Sequence, residues 1–368
     1  VLGFATDQLA LSAVEQDGDV WRTLSIRSKR YHFCANSTFG CNWLVGADEG
    51  AIYCRSCRHD HILPDLTLLE NETAWQKIEL AKRRLFYSLL RWRLPTPTRD
   101  EDASTGLAFD LLADVQTSTG VAPVLTGHDN GLITLNIAEA NDSIREARRI
   151  AMGEPYRTLL GHFRHEIGHY YWDRLVRDSD RIVQCRAVFG DESRDYGEAL
   201  QTYYQTGAPA NWSLSFISAY ATAHPWEDFA ETWAHYTHIV DALETARAFG
   251  LVIGVTLQDQ PKSSTQTAFD PYTEGDIQDL VASWVPVTVA LNGLNRSLGQ
   301  PDLYPFVLST SVIEKLRFIH GLVRDAGRRA KGGQTTGGQD SNSPTESRDT
   351  ANAVSQKELL SNADVDAA

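Results

Sequence analysis

The chain has 368 residues and a formal net charge of −14, with 42% hydrophobic, 10% aromatic and 22% charged residues. These are globular proportions and enough chain for one large domain or two modest ones. The acidic balance argues against broad attraction to nucleic acid or anionic lipid, and no run of 18 apolar residues predicts a membrane span. The sequence opens at Val1 with no charged stretch leading into an apolar one. A cytoplasmic protein with a trimmed or incomplete N-terminus is therefore expected.

Residues 1–62 carry short β-rich segments, such as Trp21 to Ile26, and four of the five cysteines. Their spacing, Cys34-x6-Cys41-x12-Cys54-x2-Cys57, offers four soft ligands on one short stretch, with Gly40, Gly46 and Gly50 allowing tight turns. A zinc-ribbon module with one structural zinc is predicted, since so small a unit cannot rely on apolar burial alone. Disulfides or scattered buried thiols are the rival reading, disfavoured without a secretory signature; Cys185 reads as a lone core thiol. The segment holds six Lys or Arg against seven Asp or Glu, so a structural or protein-docking role is expected and nucleic-acid binding is not.

From Ala74 to Trp92, Trp75, Ile78, Leu85, Leu89 and Trp92 recur at helical spacing. Lys77, Lys82, Arg83, Arg84, Arg91 and Arg93 are expected to form a solvated face or to meet acidic partners within the chain. Short runs at 107–112 and 131–137 read as strands, the second a possible pairing edge for an extended substrate. Helices are predicted over 155–176, 195–204, 212–220, 225–249, 276–298 and 311–326. The fold class is thus α+β: a small β-rich module (1–62), a mainly helical domain with a small sheet (63–326), and a tail (327–368) expected to be disordered apart from a short helix near Leu359.

His165-Glu166-Ile167-Gly168-His169 is the H-E-x-x-H pattern of zinc hydrolases. Leu159, Phe163, Ile167 and Tyr170 or Tyr171 place it on a helix, begun at Pro155, where His165 and His169 reach one cation and Glu166 stands beside it. Two histidines do not complete a catalytic zinc site. Trp172 and Leu175 occupy the places where a metzincin would have glycine and histidine, so a carboxylate from elsewhere is needed. In the helix opened by Pro225, Glu227 and Glu231 share one face with Ala234, whose small side chain would admit a neighbouring helix. Glu227 is read as the third ligand and Glu231 as a hydrogen-bond partner of a ligand imidazole, though the two roles are interchangeable at this level. Asp191, Glu192 and Asp195 are rival acids, more simply explained by Arg186, Arg194 or helix capping.

The chemistry that follows is peptide hydrolysis: zinc acidifies a water, Glu166 takes its proton, and the proton passes to the leaving amine. Tyr220 is the first choice for a donor to the oxyanion, with His224 and His162 as other candidates, and His162 is also a candidate second-shell or substrate residue. Two zinc ions are expected, one catalytic and one structural, with a peptide or protein as substrate. The alternatives are a non-catalytic zinc-ribbon adaptor and a zinc hydrolase of a small amide or ester. A carboxylate beside the metal at Glu166 favours an enzyme over an adaptor.

The chain resembles the bacterial zinc-binding metallopeptidases that join an N-terminal zinc-ribbon segment to a zincin-like domain. The resemblance rests on Cys34 to Asn36, Cys41 to Val45, Cys54 to Arg58, Leu125 to Gly131, Gly161 to Trp172, His224 to Tyr236, Asn292 to Ser297 and Tyr304 to Leu308, and spans about Leu2 to Val323. Glu227-Asp228-Phe229-Ala230-Glu231 also resembles the E-x-F-A-E helix of lethal-factor-like gluzincins. That likeness implies Glu227 as ligand, Glu231 outside it and Tyr220 as the assisting tyrosine.

Overall fold

The computed structural model describes residues 1–26, 28–117, 120–122, 124, 126–151, 158–255 and 263–333. Strands β1 (Leu2–Ala5), β2 (Ala10–Asp17), β3 (Val20–Thr23), β4 (Tyr31–Phe33) and β5 (Trp43–Gly46) close a small barrel, in which β1 meets β2 antiparallel and β5 parallel. Its separate core consists of Ala5, Val14, Tyr31 and Leu44, too little apolar surface to stand alone. The four clustered cysteines instead belong to the large core that runs through the rest of the chain.

Beyond the barrel come β6 (Asp60–Ile62), α1 (Leu69–Trp92), β7 (Ala108–Leu112), the hairpin of β8 (Val115–Thr117) and β9 (Gly120–Ala122), β10 (Gly127–Asp129) and β11 (Leu132–Asn136). There follow α2 (Asp142–Ala151), α3 (Leu159–Trp172), α4 (Ile182–Phe189), α5 (Tyr196–Thr206), α6 (Pro225–Ala248), the hairpin of β12 (Val252–Val255) and β13 (Ser263–Gln266), α7 (Ile277–Ser297) and α8 (Thr310–Gly333). A β-rich module followed by a mainly helical domain with a small sheet is the arrangement read from the sequence. The four-stranded sheet has the order β10-β11-β7-β6, with β10 antiparallel and the other pairs parallel.

The apolar stripe of α1 is buried as its spacing predicts, with Trp75, Ile78, Leu85 and Leu89 at most 1% exposed. Part of its basic face finds acids within the chain: Lys82, fully buried, pairs with Asp60 and Glu79, Arg83 lies 3.9 Å from Glu79, and Arg91 pairs with Glu244 and Asp270 at 3.0 Å each, while Lys77 reaches the Ala140 carbonyl. Arg93 ends the helix in the left-handed conformation at φ 57°.

Four expectations change. Residues 132–136 form an interior strand, paired with β7 along its length and with β10 over 132–134, so little of its ladder is left for a substrate; the edge strand beside α3 is β10. Residues 212–220 contain only short 3-10 turns at Trp212–Leu214 and Tyr220–Thr222. There Ser218 turns its hydroxyl to accept from the Ala221 amide (3.1 Å) and donate to Glu231 (2.6 Å), a local bond that competes with helix formation. Residues 327–333, expected in the disordered tail, complete α8; residues 334–368, including Leu359, lie outside the described residues. Pro155 also lies outside them, while extended Thr158 caps α3 by accepting from the Gly161 amide at 2.9 Å, so the helix opens at Leu159.

α3 and α6 cross where both carry their smallest side chains. A Cβ added to Gly168 would lie 2.9 Å from the Ala230 Cα and 3.2 Å from the Trp233 Cβ. The close approach expected at Ala234 thus falls one turn earlier. Because backbone cannot retreat as a flexible side chain can, Gly168→Ala should lower stability by about 1–3 kcal/mol in chemical denaturation. Gly321→Ala, in α8 with nothing within 4 Å of the added Cβ, should raise it by up to about 1 kcal/mol.

Candidate metal centres

The first centre lies in the loops on either side of β5. Cys34 directly follows β4 and Cys41 precedes β5, while Cys54 and Cys57 lie between β5 and β6. Between the first two, a short 3-10 turn (Ala35–Phe39) is closed by Gly40 at φ 89°, a conformation costly for any side chain, and this delivers Cys41 back toward Cys34. Cys41 Sγ lies 3.9 Å from both Cys54 Sγ and Cys57 Sγ, and all four sulfurs lie within 4.8 Å of one another. Tetrahedral ligands at the usual Zn–S length of about 2.3 Å stand about 3.8 Å apart, so the spacing fits a shared zinc ion. No pair is bonded as a disulfide. Backbone amides of Cys54 and Cys57 point at the Cys34 and Cys54 sulfurs at 3.3 and 3.5 Å, which favours thiolates.

Four thiolates around a divalent ion leave a net charge of about −2. Glu79 Oε2 lies 3.6 Å from Cys57 Sγ, and Lys82 lies against Glu79 and Asp60. Cys57, Asp60 and Glu79 also stand close enough to resemble a further ligand set, but the Lys82 ammonium already pairs with its two carboxylates.

The second centre is built by α3 and α6. His165 Nε2 lies 3.1 Å from His169 Nε2 and 2.9 Å from Glu227 Oε2, and His169 Nε2 lies 3.5 Å from Glu227 Oε1. Ligands about 2.05 Å from a tetrahedral zinc stand about 3.3 Å apart, the value these distances bracket. Glu227 is 1% exposed and its Oε2 finds no hydrogen-bond donor among the described residues, an orphaned acceptor that a cation would satisfy. Burial raises the cost of ionising Glu227, yet His169 and His165 hold its carboxyl well below the ordinary range. Burial likewise opposes a charged His165, but Glu227 and Glu231 draw it strongly toward protonation. The cluster therefore attracts positive charge.

Glu231 approaches from the other side: its Oε1 is 2.7 Å from His165 Nδ1, and its Oε2 accepts from Ser218 Oγ at 2.6 Å. Against the cost of burial, the His165 contact depresses its carboxyl to about 2. Glu166 is 8% exposed, and burial lifts its carboxyl above the ordinary range against the pull of His165 and His169. The Tyr220 ring lies 6.0 Å from His165, and burial, with Glu227 next, raises its hydroxyl well above the ordinary value, so it keeps its proton. His162 Nδ1 lies 3.5 Å from Glu139 Oε2. His224 is the N-cap of α6, its Nδ1 accepting from the Trp226 amide at 3.1 Å.

Of the rival acids, Glu192 pairs with Arg186 at 2.6 Å, Asp191 accepts from Ser193, and Asp195 caps α5. Two neighbours went unread in the sequence. Trp226, next to Glu227 in α6, packs its ring 4.1 Å from that of His169. Tyr196 donates its hydroxyl to Glu227 Oε1 at 2.6 Å from 31 residues upstream, and no local pattern marks it.

A family model described as "Putative zinc-binding metallo-peptidase" matches residues 71–322, and a zinc-ribbon domain model matches residues 1–68. The chain belongs to this zinc-binding metallopeptidase family. It is 44% identical over 324 residues to an uncharacterized protein of Mycobacterium tuberculosis and to one of Mycobacterium bovis, 88% of each chain being covered. No solved structure matches. No described helix is long and apolar enough to cross a membrane.

Both centres fit zinc by donor type and spacing, so purified protein should carry two zinc ions per chain by elemental analysis. Cys54→Ala should lose one and His169→Ala the other; loss of both from either variant would show that the two centres do not load independently.

Proposed function

We propose that the chain is a gluzincin-like zinc peptidase in which His165, His169 and Glu227 hold a catalytic ion and the four cysteines a structural one. The observation that carries this reading is the meeting of two imidazole Nε2 atoms and a buried carboxylate oxygen from a separate helix, with buried Glu166 next to His165. When bound, zinc in such a site polarises a carbonyl and makes water a nucleophile near neutral pH.

The residues around it supply the rest. Glu166 is the general base: its raised affinity for a proton suits it to take one from the attacking water and to return it to the departing amine. Tyr220 keeps its hydroxyl proton and donates it as a hydrogen bond to the oxygen that becomes negative as the carbonyl turns tetrahedral. Glu231 accepts from His165 Nδ1–H, which leaves Nε2 as the lone-pair nitrogen facing Glu227. Trp226 shields His169 from water on one side. A peptide or protein is the substrate, and the zinc ribbon is a structural element that can also serve a protein partner.

Glu166→Gln keeps the shape of the side chain but cannot accept the proton. It should retain both zinc ions and lower the turnover of a casein or peptide-library substrate by at least ~100-fold. Unchanged turnover would remove Glu166 as the base. A library left uncut by wild-type protein that hydrolyses small amides would exclude the peptidase reading.

A further inference from the structure

Glu227 has two oxygens, and they are treated differently. Oε1 accepts the Tyr196 hydroxyl at 2.6 Å and lies 3.5 Å from His169 Nε2; Oε2 lies 2.9 Å from His165 Nε2 with no donor of its own among the described residues. The last torsion of a glutamate side chain is broad, so a carboxylate left to itself presents either oxygen in many orientations. A hydrogen bond to one oxygen removes that freedom. A hydroxyl does so without adding a positive charge, whereas an arginine or lysine partner would cancel the negative charge a cation needs.

Tyr196 is itself well placed to hold its position. It is the first residue of α5, next to the N-cap Asp195, whose carboxylate accepts the Glu198 amide at 2.7 Å. Its ring lies 5.2 Å from His224, the cap of the helix that carries Glu227, and 5.6 Å from Trp226, which in turn packs on His169. Ala199 and Leu200 bury the inner side of α5. Gly190 at φ 99° and Gly207 at φ 70° bracket this segment in conformations that only glycine adopts cheaply, so the chain turns sharply into and out of it.

We propose that Tyr196 is a positioning residue of the second metal centre: its hydroxyl fixes Glu227 Oε1 and thereby turns Oε2 toward the His165 imidazole. This rests on the reading of His165, His169 and Glu227 as a metal centre. α5, through one hydroxyl, then sets how tightly the chain holds its ion.

The test uses the full chain with ribbon zinc in place. Affinity for the second ion is measured by chelator competition, and the visible absorption of cobalt(II) loaded in its stead reports the ligand field. Tyr196→Phe should weaken zinc about 10- to 100-fold, the range for loss of a ligand's hydrogen-bond partner, and alter the cobalt spectrum while leaving the melting temperature near wild type. Leu200→Ala, which loosens α5 but keeps the hydroxyl, should lower the melting temperature and leave affinity and spectrum alone. Wild-type affinity and spectrum in Tyr196→Phe would overturn the proposal, as would the same two changes in Leu200→Ala. Retention of the second ion by Glu227→Ala would overturn the metal-centre reading itself, and the proposal with it.

Discussion

The contact between Gly168 of α3 and Ala230 of α6 sets the geometry on which the second candidate metal centre depends. His165, Gly168 and His169 follow the i, i+3, i+4 spacing of one helical face, and so do Glu227, Ala230 and Glu231. When the two small residues meet, the polar residues flanking them are carried to within hydrogen-bonding distance of one another. A larger side chain at either contact would hold the backbones apart, and Glu227 would no longer span the gap to both imidazoles. The sacrifice of helix propensity at Gly168 is thus offset by what its missing Cβ allows.

Distance alone does not aim the side chains; each helix must also be held in rotation about its own axis. Buried charges on the neighbouring positions do this. Arg164, one residue before His165, is 4% exposed and bonds to His238 and Asp241 of α6. Asp241 also accepts the hydroxyls of Ser88 in α1 and Tyr272. Asp228, one residue after Glu227, is fully buried against Lys315 of α8 at 2.6 Å, and Lys315 donates to the Ser215 carbonyl in the stretch that leads to Ser218 and Tyr220. Buried ion pairs of this kind add little net stability compared with apolar packing, but an alternative rotation would strand each charge, which is costly. They act here on register.

How legible this was depended on how local the cause was. The α3 motif and the Glu227 to Glu231 face could be read because both follow from helical periodicity within a few residues. The cysteine cluster could be read because its ligands lie in 24 consecutive positions. The hydroxyl on Glu227 could not: Tyr196 sits in a helix whose nearest local signals are caps and turns, and only the fold brings it to α6. Helical spacing of apolar residues was equally misleading at 212–220, where the Ser218 side chain bonds to the backbone and to Glu231. Interior and edge strands look alike in a short alternating run, which is why β11 passed for an edge.

The two candidate metal centres are joined through the sheet. β6 begins three residues after Cys57 and pairs with β7; β7 pairs with β11, and β11 with β10, whose His128 ring stacks 6.3 Å from His169. At the ribbon end, Lys82 of α1 binds Asp60, the first residue of β6, so the same strand is tied to the cysteine loop by chain and to the helical domain by charge. Cys34, Cys41, Cys54 and Cys57 accordingly belong to the core that also contains Phe163, Ile167 and Trp233. A ribbon built as a detachable appendage would keep its own core and meet its neighbour through a polar surface. In this chain the barrel's own buried apolar cluster is, among the described residues, Ala5, Val14, Tyr31 and Leu44 with Trp21 and Phe33 against it, while Trp43, Val45 and the four cysteines join the core of the helical domain.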